Sequence, residues 1–145
     1  MRVKGGFDRR KTLQELEQHD WGEPTYDSHL VITCHRLRRK PLDQFTVEDL
    51  RIMIGQQISL SYLLPLAVEQ LEAEPFAEGN YYPGDLLSAV VGVDEKSWAS
   101  YPDSLRRVHK VLDQARSKLS SLDEVYQNTI RKLLDGLPRA LLLRD

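Results

Sequence analysis

Cysteine is nearly absent: Cys34 stands alone in 145 residues. No intramolecular disulfide can form, and a cysteine-based zinc site lacks its ligands. Long apolar runs are also missing. The longest, such as Leu63 to Val68, falls far short of the roughly 20 residues that cross a bilayer. The start of the chain has basic residues but no apolar stretch followed by a small-residue cleavage site, so no secretory signal is visible. A cytosolic protein is the expectation. The four histidines, His19, His29, His35 and His109, include no pair four residues apart and no HExxH, which leaves no metal site to propose. GxSxG, GxxxxGK[ST] and GxGxxG are all wanting, so the common hydrolase and nucleotide signatures fail. Carboxylates are plentiful, but Glu48-Asp49, Glu69, Glu72 and Asp94-Glu95 sit where helix starts or solvated helix faces are expected. No catalytic residue, cofactor or metal is assigned.

Charge is abundant but segregated. Residues 1–40 hold nine Lys/Arg against six Asp/Glu, a net of +3, and residues 105–145 hold nine against five, a net of +4. Between them, residues 41–104 carry only Arg51 and Lys96 against eleven acids, a net of −9. The overall −2 conceals an acidic centre flanked by basic ends. A surface of one sign attracts the opposite sign, so the centre argues for a basic partner and against nucleic acid there, unless the fold disperses the acids over a solvated surface.

The apolar spacing is helical almost throughout. Leu13 and Leu16 share a face in 11–18, and residues 29–38 read as a buried helix or a short strand running into one, ended by Pro41. Thr46 with Asp49 resembles a capping box, with Phe45 and Leu50 at the hydrophobic-staple positions, so a helix begins at Thr46 with Leu50, Met53, Ile54 and Ile58 inward. Gly55 there is a weak point or a place of close approach. Pro65 belongs in a first turn, which puts the next helix start near Ser61 and its end at Pro75. The stretch 78–85, EGNYYPGD, has the punctuation of a loop, and Leu86 to Val91 follow as a short helix closed by Gly92. Asp103 or Ser104 caps a long helix through Leu119, and Ser121 with Glu124 makes a second capping box before a last helix that stops at Gly136. Gly5-Gly6 reads as part of a flexible start that extends to about residue 10. The expectation is one all-α domain over 1–145, a bundle of about six to eight helices.

Three basic clusters qualify the acidic reading: Arg9-Arg10-Lys11, Arg36 with Arg38-Arg39-Lys40, and Arg106-Arg107 with Lys110. Brought together, they would form a phosphate-binding surface and a helical nucleic-acid-binding or regulatory module. The pI near 6.1 speaks against it, since such modules are usually clearly basic.

The segment FTVEDLRIMIGQQISLSYLLPLAVEQLEAEPFAEGNYYPGDLL, from Phe45 to Leu87, resembles a family of bacterial contact-dependent growth inhibition immunity proteins. DWGEP (Asp20 to Pro24) and CHRLRRKPL (Cys34 to Leu42) are similar to the same family, so the resemblance spans roughly residues 11–92. It implies an inhibitor that binds the toxic C-terminal domain delivered by a neighbouring cell, commonly a nuclease, and blocks it in the cytosol. Such a toxin offers its substrate a cationic surface, which the acidic centre could occupy. On that reading Glu69, Glu72, Glu74 and Glu78 form the partner surface; Glu69 and Glu72 lie one helical step apart. Two roles stay open for YYPGD. Tyr81, Tyr82 and Asp85 are interface residues beside Glu78, or Pro83 and Gly84 shape the turn, a tyrosine fills the core and Asp85 caps the next helix.

Overall fold

In the computed structural model, residues 6–25 and 27–142 are described, and among them eight α-helices and three 3-10 turns form with no strand. Residues 1–5 of the expected flexible start lie outside the described residues. From Phe7 on the chain is anchored: the Phe7 ring meets Tyr62 edge-on with centroids 5.1 Å apart, and Arg9 and Lys11 carbonyls accept the amides of Asp43 and Leu42.

Thr12 opens α1 (Leu13–Glu17) with a complete capping box to Glu15. Ser28 caps α2 (His29–Leu37), which is helical throughout and carries no strand segment. The Thr46–Asp49 box forms as expected and starts α3 (Val47–Gly55), with Leu50, Met53 and Ile54 buried. Gly55 ends that helix facing open space, so no close approach explains it. The central element is α4 (Leu60–Ala73), which begins one residue before Ser61 and buries eight side chains, among them Leu63, Leu64, Ala67 and Leu71. Pro65 thus lies inside it, forfeiting one bond to the Ser61 carbonyl near the helix start.

Two short connections later come α5 (Asp85–Val91), with Gly92 at its C-cap, and α6 (Pro102–Ser117). Neither Asp103 nor Ser104 caps α6. Tyr101 holds the cap position without a side-chain bond, and Pro102 supplies a preset φ at the first helical position instead. The break near residue 120 is present, but the Ser121–Glu124 box does not form. Ser121 Oγ donates to the Lys118 carbonyl at 2.6 Å, and α7 (Glu124–Asp135) starts from Asp123 with no side-chain cap. A final short helix, α8 (Arg139–Leu142), follows Pro138 and was not expected from the sequence.

Packing radiates from α4, which contacts α3, α5 and α6, while α3 also lies against α2 and α5. One hydrophobic cluster runs from Leu13 to Leu141 and includes the fully enclosed Trp98. Cys34 sits inside it, and burial pushes its thiol pKa up, so it behaves as a small apolar side chain.

Candidate functional site

The loop between α4 and α5 is built around two carboxylates. Gly79 N–H donates to Asp85 Oδ1 at 2.6 Å, Asn80 N–H to Glu48 Oε1 at 2.9 Å, and Tyr81 N–H to Asp85 Oδ2 at 3.0 Å. Three consecutive amides are therefore satisfied by side chains rather than by water. Arg51 pairs with both and offsets one of their two charges: its Nε and Nη2 each lie 2.6 Å from a Glu48 oxygen, and Nε is 4.0 Å from Asp85 Oδ2. The Arg51 hydrogen bonds hold the Glu48 carboxyl below the ordinary glutamate range. Above the same guanidinium lies the Tyr81 ring, 4.6 Å from Cζ to centroid, and that tyrosine is 69% exposed.

Glycines allow this compactness. A Cβ on Gly79 would meet Glu48 Oε1 at 2.5 Å, and one on Gly84 would meet Ile130 Cδ1 at 2.5 Å. Gly84 also has φ +95°, a conformation that L side chains rarely adopt. The turn-shaping role expected of Pro83 and Gly84 fits this geometry. Asp85, only 3% exposed, does not cap α5: Gly84 holds the cap position, Asp85 is the first helical residue, and its carboxylate turns back into the loop. Tyr82 is half-buried rather than in the core, at the edge of a hollow of about 380 Å³ shared with Asn128, Thr129, Lys132 and Leu133 of α7.

The acids of α4 are not bare. Glu69 is paired with Arg9, and Glu72 receives both Nε and Nη2 of Arg107 at 2.9 and 2.6 Å. Hydrogen bonds from these arginines lower both glutamate pKa values. Glu74 Oε2 accepts the Phe76 amide at 3.0 Å and shapes the turn after the helix. Glu78 is exposed, with its backbone bridged to Pro83 and no side-chain partner among the described residues. The fold thus groups Glu78, Tyr81 and Asp85 in one loop with Tyr82 at its edge, and sets Glu69 and Glu72 on the neighbouring helix.

The basic clusters are largely paired within the fold: Arg9 and Arg107 come close enough to feel each other's charge, each held by a carboxylate of α4. Seven of their ten residues have a carboxylate partner: Arg9 on Glu69, Arg10 on Asp8, Arg38 on Glu17, Arg39 on Glu23, Lys40 on Asp49, Arg106 on Asp103 and Arg107 on Glu72.

Three participants escaped the sequence reading. Glu48 and Arg51 stand at helical i, i+3 spacing, a signal that identifies them as a pair but not as the floor of a loop 30 residues away. Trp21 forms a second aromatic–arginine stack: the Arg38 guanidinium, 2% exposed, lies 4.5 Å from its ring, and His35 meets it edge-on at 5.1 Å. Beside it, Pro24, Ile32, His35, Arg36 and Pro41 line an open groove of about 460 Å³.

Among the described residues no group of three or more His, Cys, Asp or Glu could hold a metal ion, and no helix is long and apolar enough to cross a membrane. What the geometry offers is a polar, aromatic-tipped loop on a helical scaffold. A model of the family described as CDI immunity proteins, where CDI is contact-dependent growth inhibition, matches residues 15–108. The chain belongs to that family. No curated protein sequence and no solved structure matches it.

Proposed function

We propose that this chain is the immunity half of a toxin–immunity pair. It binds the toxic C-terminal domain of its cognate contact-dependent growth inhibition toxin in the cytosol and blocks it by occupancy, without chemistry of its own. The observation that carries this reading is the family match, which takes in α2 to α5 and the whole Tyr81 loop. The toxin is a basic nuclease, and the surface that meets it combines Glu69, Glu72, Glu74 and Glu78 with Tyr81 and Tyr82, Asp85 acting from beneath.

Charge supports the direction of the contact, since residues 41–104 supply the acids that face outward on α4 and its loop. A nuclease must attract a polyanion, so an acidic protein surface competes with its substrate at the same patch. The nucleic-acid reading loses support from the seven internally paired cations.

The test is direct. The purified chain, mixed with the toxin C-terminal domain encoded beside it, should elute as a stable complex, and its expression should protect cells that express the toxin. Separate elution together with absent protection would refute the reading.

A further inference from the structure

The Tyr81 loop contains more than a turn requires. Glu48, Arg51 and Asp85 have side chains 16%, 23% and 3% exposed, so a three-membered ion network has been withdrawn from water beneath a surface loop. Apolar side chains of similar volume would often hold such a place as well or better. The network instead fixes the amides of residues 79–81 and sets a guanidinium under one face of Tyr81. Its product is an exposed aromatic ring with little freedom left to lose.

The geometry points to Tyr81, standing on Arg51, as the anchor on which a cationic protein surface docks, with Arg51 and Glu48 as the residues that position it. This rests on the toxin-binding reading and deepens it. Tyrosine is enriched among the few residues that dominate interface energy, and a side chain immobilised beforehand loses less entropy on binding. The partner's sign follows from the loop. Glu48, Glu78 and Asp85 against Arg51 give the loop and its floor a net of −2, with Lys132 of α7 lining the hollow beside Tyr82, and Glu78 has no side-chain partner among the described residues. An incoming lysine or arginine finds Glu78 available. At Glu69 or Glu72 it must displace Arg9 or Arg107 first, so those acids add less than their number suggests.

Arg51 is irreplaceable by lysine on this account, because only the planar fork can pair bidentately with Glu48 while stacking on the ring. A double-mutant cycle separates positioning from general support of the fold. The purified full chain is titrated with the toxin C-terminal domain encoded beside it, as wild type, Tyr81→Ala, Tyr81→Phe, Arg51→Lys and Tyr81→Ala/Arg51→Lys. Far-UV circular dichroism of each variant checks its folding. Tyr81→Ala should weaken binding by about 30-fold or more, the range of an interface hot spot, and Tyr81→Phe by less than about five-fold. Arg51→Lys should cost about ten-fold in the wild-type background and less than about two-fold once Tyr81 is alanine. Should Arg51→Lys unfold, Glu48→Gln, which keeps an acceptor for the Asn80 amide, runs the same cycle.

Wild type that binds while Tyr81→Ala binds equally well overturns the anchor and leaves the immunity reading intact. An Arg51→Lys cost that persists undiminished without the tyrosine overturns the positioning role. Wild type that does not bind at all overturns the functional reading itself.

Discussion

Arg107 closes α6 onto α4 by donating Nε and Nη2 to the two carboxylate oxygens of Glu72, a residue 35 positions earlier in the chain. Arg9 does the same from the opposite end of the sequence, pairing with Glu69 one helical step away. The charge segregation along the sequence is thereby converted into pairing between distant segments of the chain. The basic ends of +3 and +4 fold over part of the −9 centre, and the remaining exposed acids of that segment set its outward character.

These two pairs should contribute little to stability. Their side chains are between 36% and 43% exposed, where solvent screens the attraction and ordering two long side chains offsets part of it. Glu72→Ala and Arg9→Ala should each lower the unfolding free energy by under about 1 kcal/mol, or less than about 4 °C in melting temperature by calorimetry. A loss of several kcal/mol from either would mean that the pair, and not the apolar cluster, holds α6 or the N-terminal segment in place.

Gly84→Ala should be far more damaging. The new Cβ would meet Ile130 Cδ1 at 2.5 Å, and φ at +95° is strained for any L side chain. Strain alone costs about 1–3 kcal/mol, with overpacking added. Ile130→Val removes the very methyl that clashes, so Gly84→Ala/Ile130→Val should be less destabilised than the two single losses summed, as urea unfolding would show. Strict additivity would place the whole penalty in the backbone.

Stability should fall on acidification through the carboxylate range. Glu48, Glu69 and Glu72 all have folded pKa values lowered by hydrogen bonds from Arg51, Arg9 and Arg107 respectively. The unfolded chain therefore binds protons more readily than the folded one. The contribution is full above the ordinary glutamate value of about 4.3 and is lost as pH descends through the lower folded values. Glu48→Gln should flatten the acid limb of stability against pH more than Glu72→Gln, because the Glu48 side chain is 16% exposed and that of Glu72 42%. Equal flattening by both would show that burial does not set the size of the effect.

Much of the helical order was written locally. Thr46 and Asp49 announce α3 because a capping box is a contact between neighbours, and Gly92 and Gly136 stand at the ends of α5 and α7 as expected, both with negative φ, so their place follows from poor helix propensity and not from a left-handed turn. The false box at Ser121 shows the limit of such signals. The serine hydroxyl donates back to the Lys118 carbonyl, and the helix starts two residues later, from Asp123, a shift that the spacing did not reveal. The Tyr81 loop was legible as a loop but not as a platform, since its floor comes from Glu48 and Arg51 on α3. For the same reason Glu69 and Glu72 looked bare, their partners lying 60 and 35 residues away.

The protein alone should leave nucleic acid untouched. Of the ten cluster cations, seven already hold a carboxylate, and phosphate binding depends on many free cations acting together. A labelled duplex should show no mobility shift at moderate salt and micromolar protein. Binding that weakens steeply with added salt would reinstate a basic surface.

The last prediction concerns the acids of α4 as a group. Replacing them with lysine would set new cations beside Arg9 and Arg107 and confound folding with binding, so glutamine is the better probe. Glu74→Gln keeps a side-chain oxygen to accept the Phe76 amide that Glu74 Oε2 holds at 3.0 Å, so the turn after α4 should survive. Glu69→Gln, Glu72→Gln and Glu74→Gln combined should keep the helical circular-dichroism spectrum. Against the toxin domain, the variant should associate about five- to ten-fold more slowly at low salt, with dissociation little changed, because peripheral charges steer encounter more than they hold a complex. The difference should shrink near 0.15 M salt, where charges beyond about 8 Å are screened. If association rate and salt dependence both match wild type, the acids of α4 lie outside the docking surface, and whatever attraction the toxin feels must come from the Glu78 side of the loop.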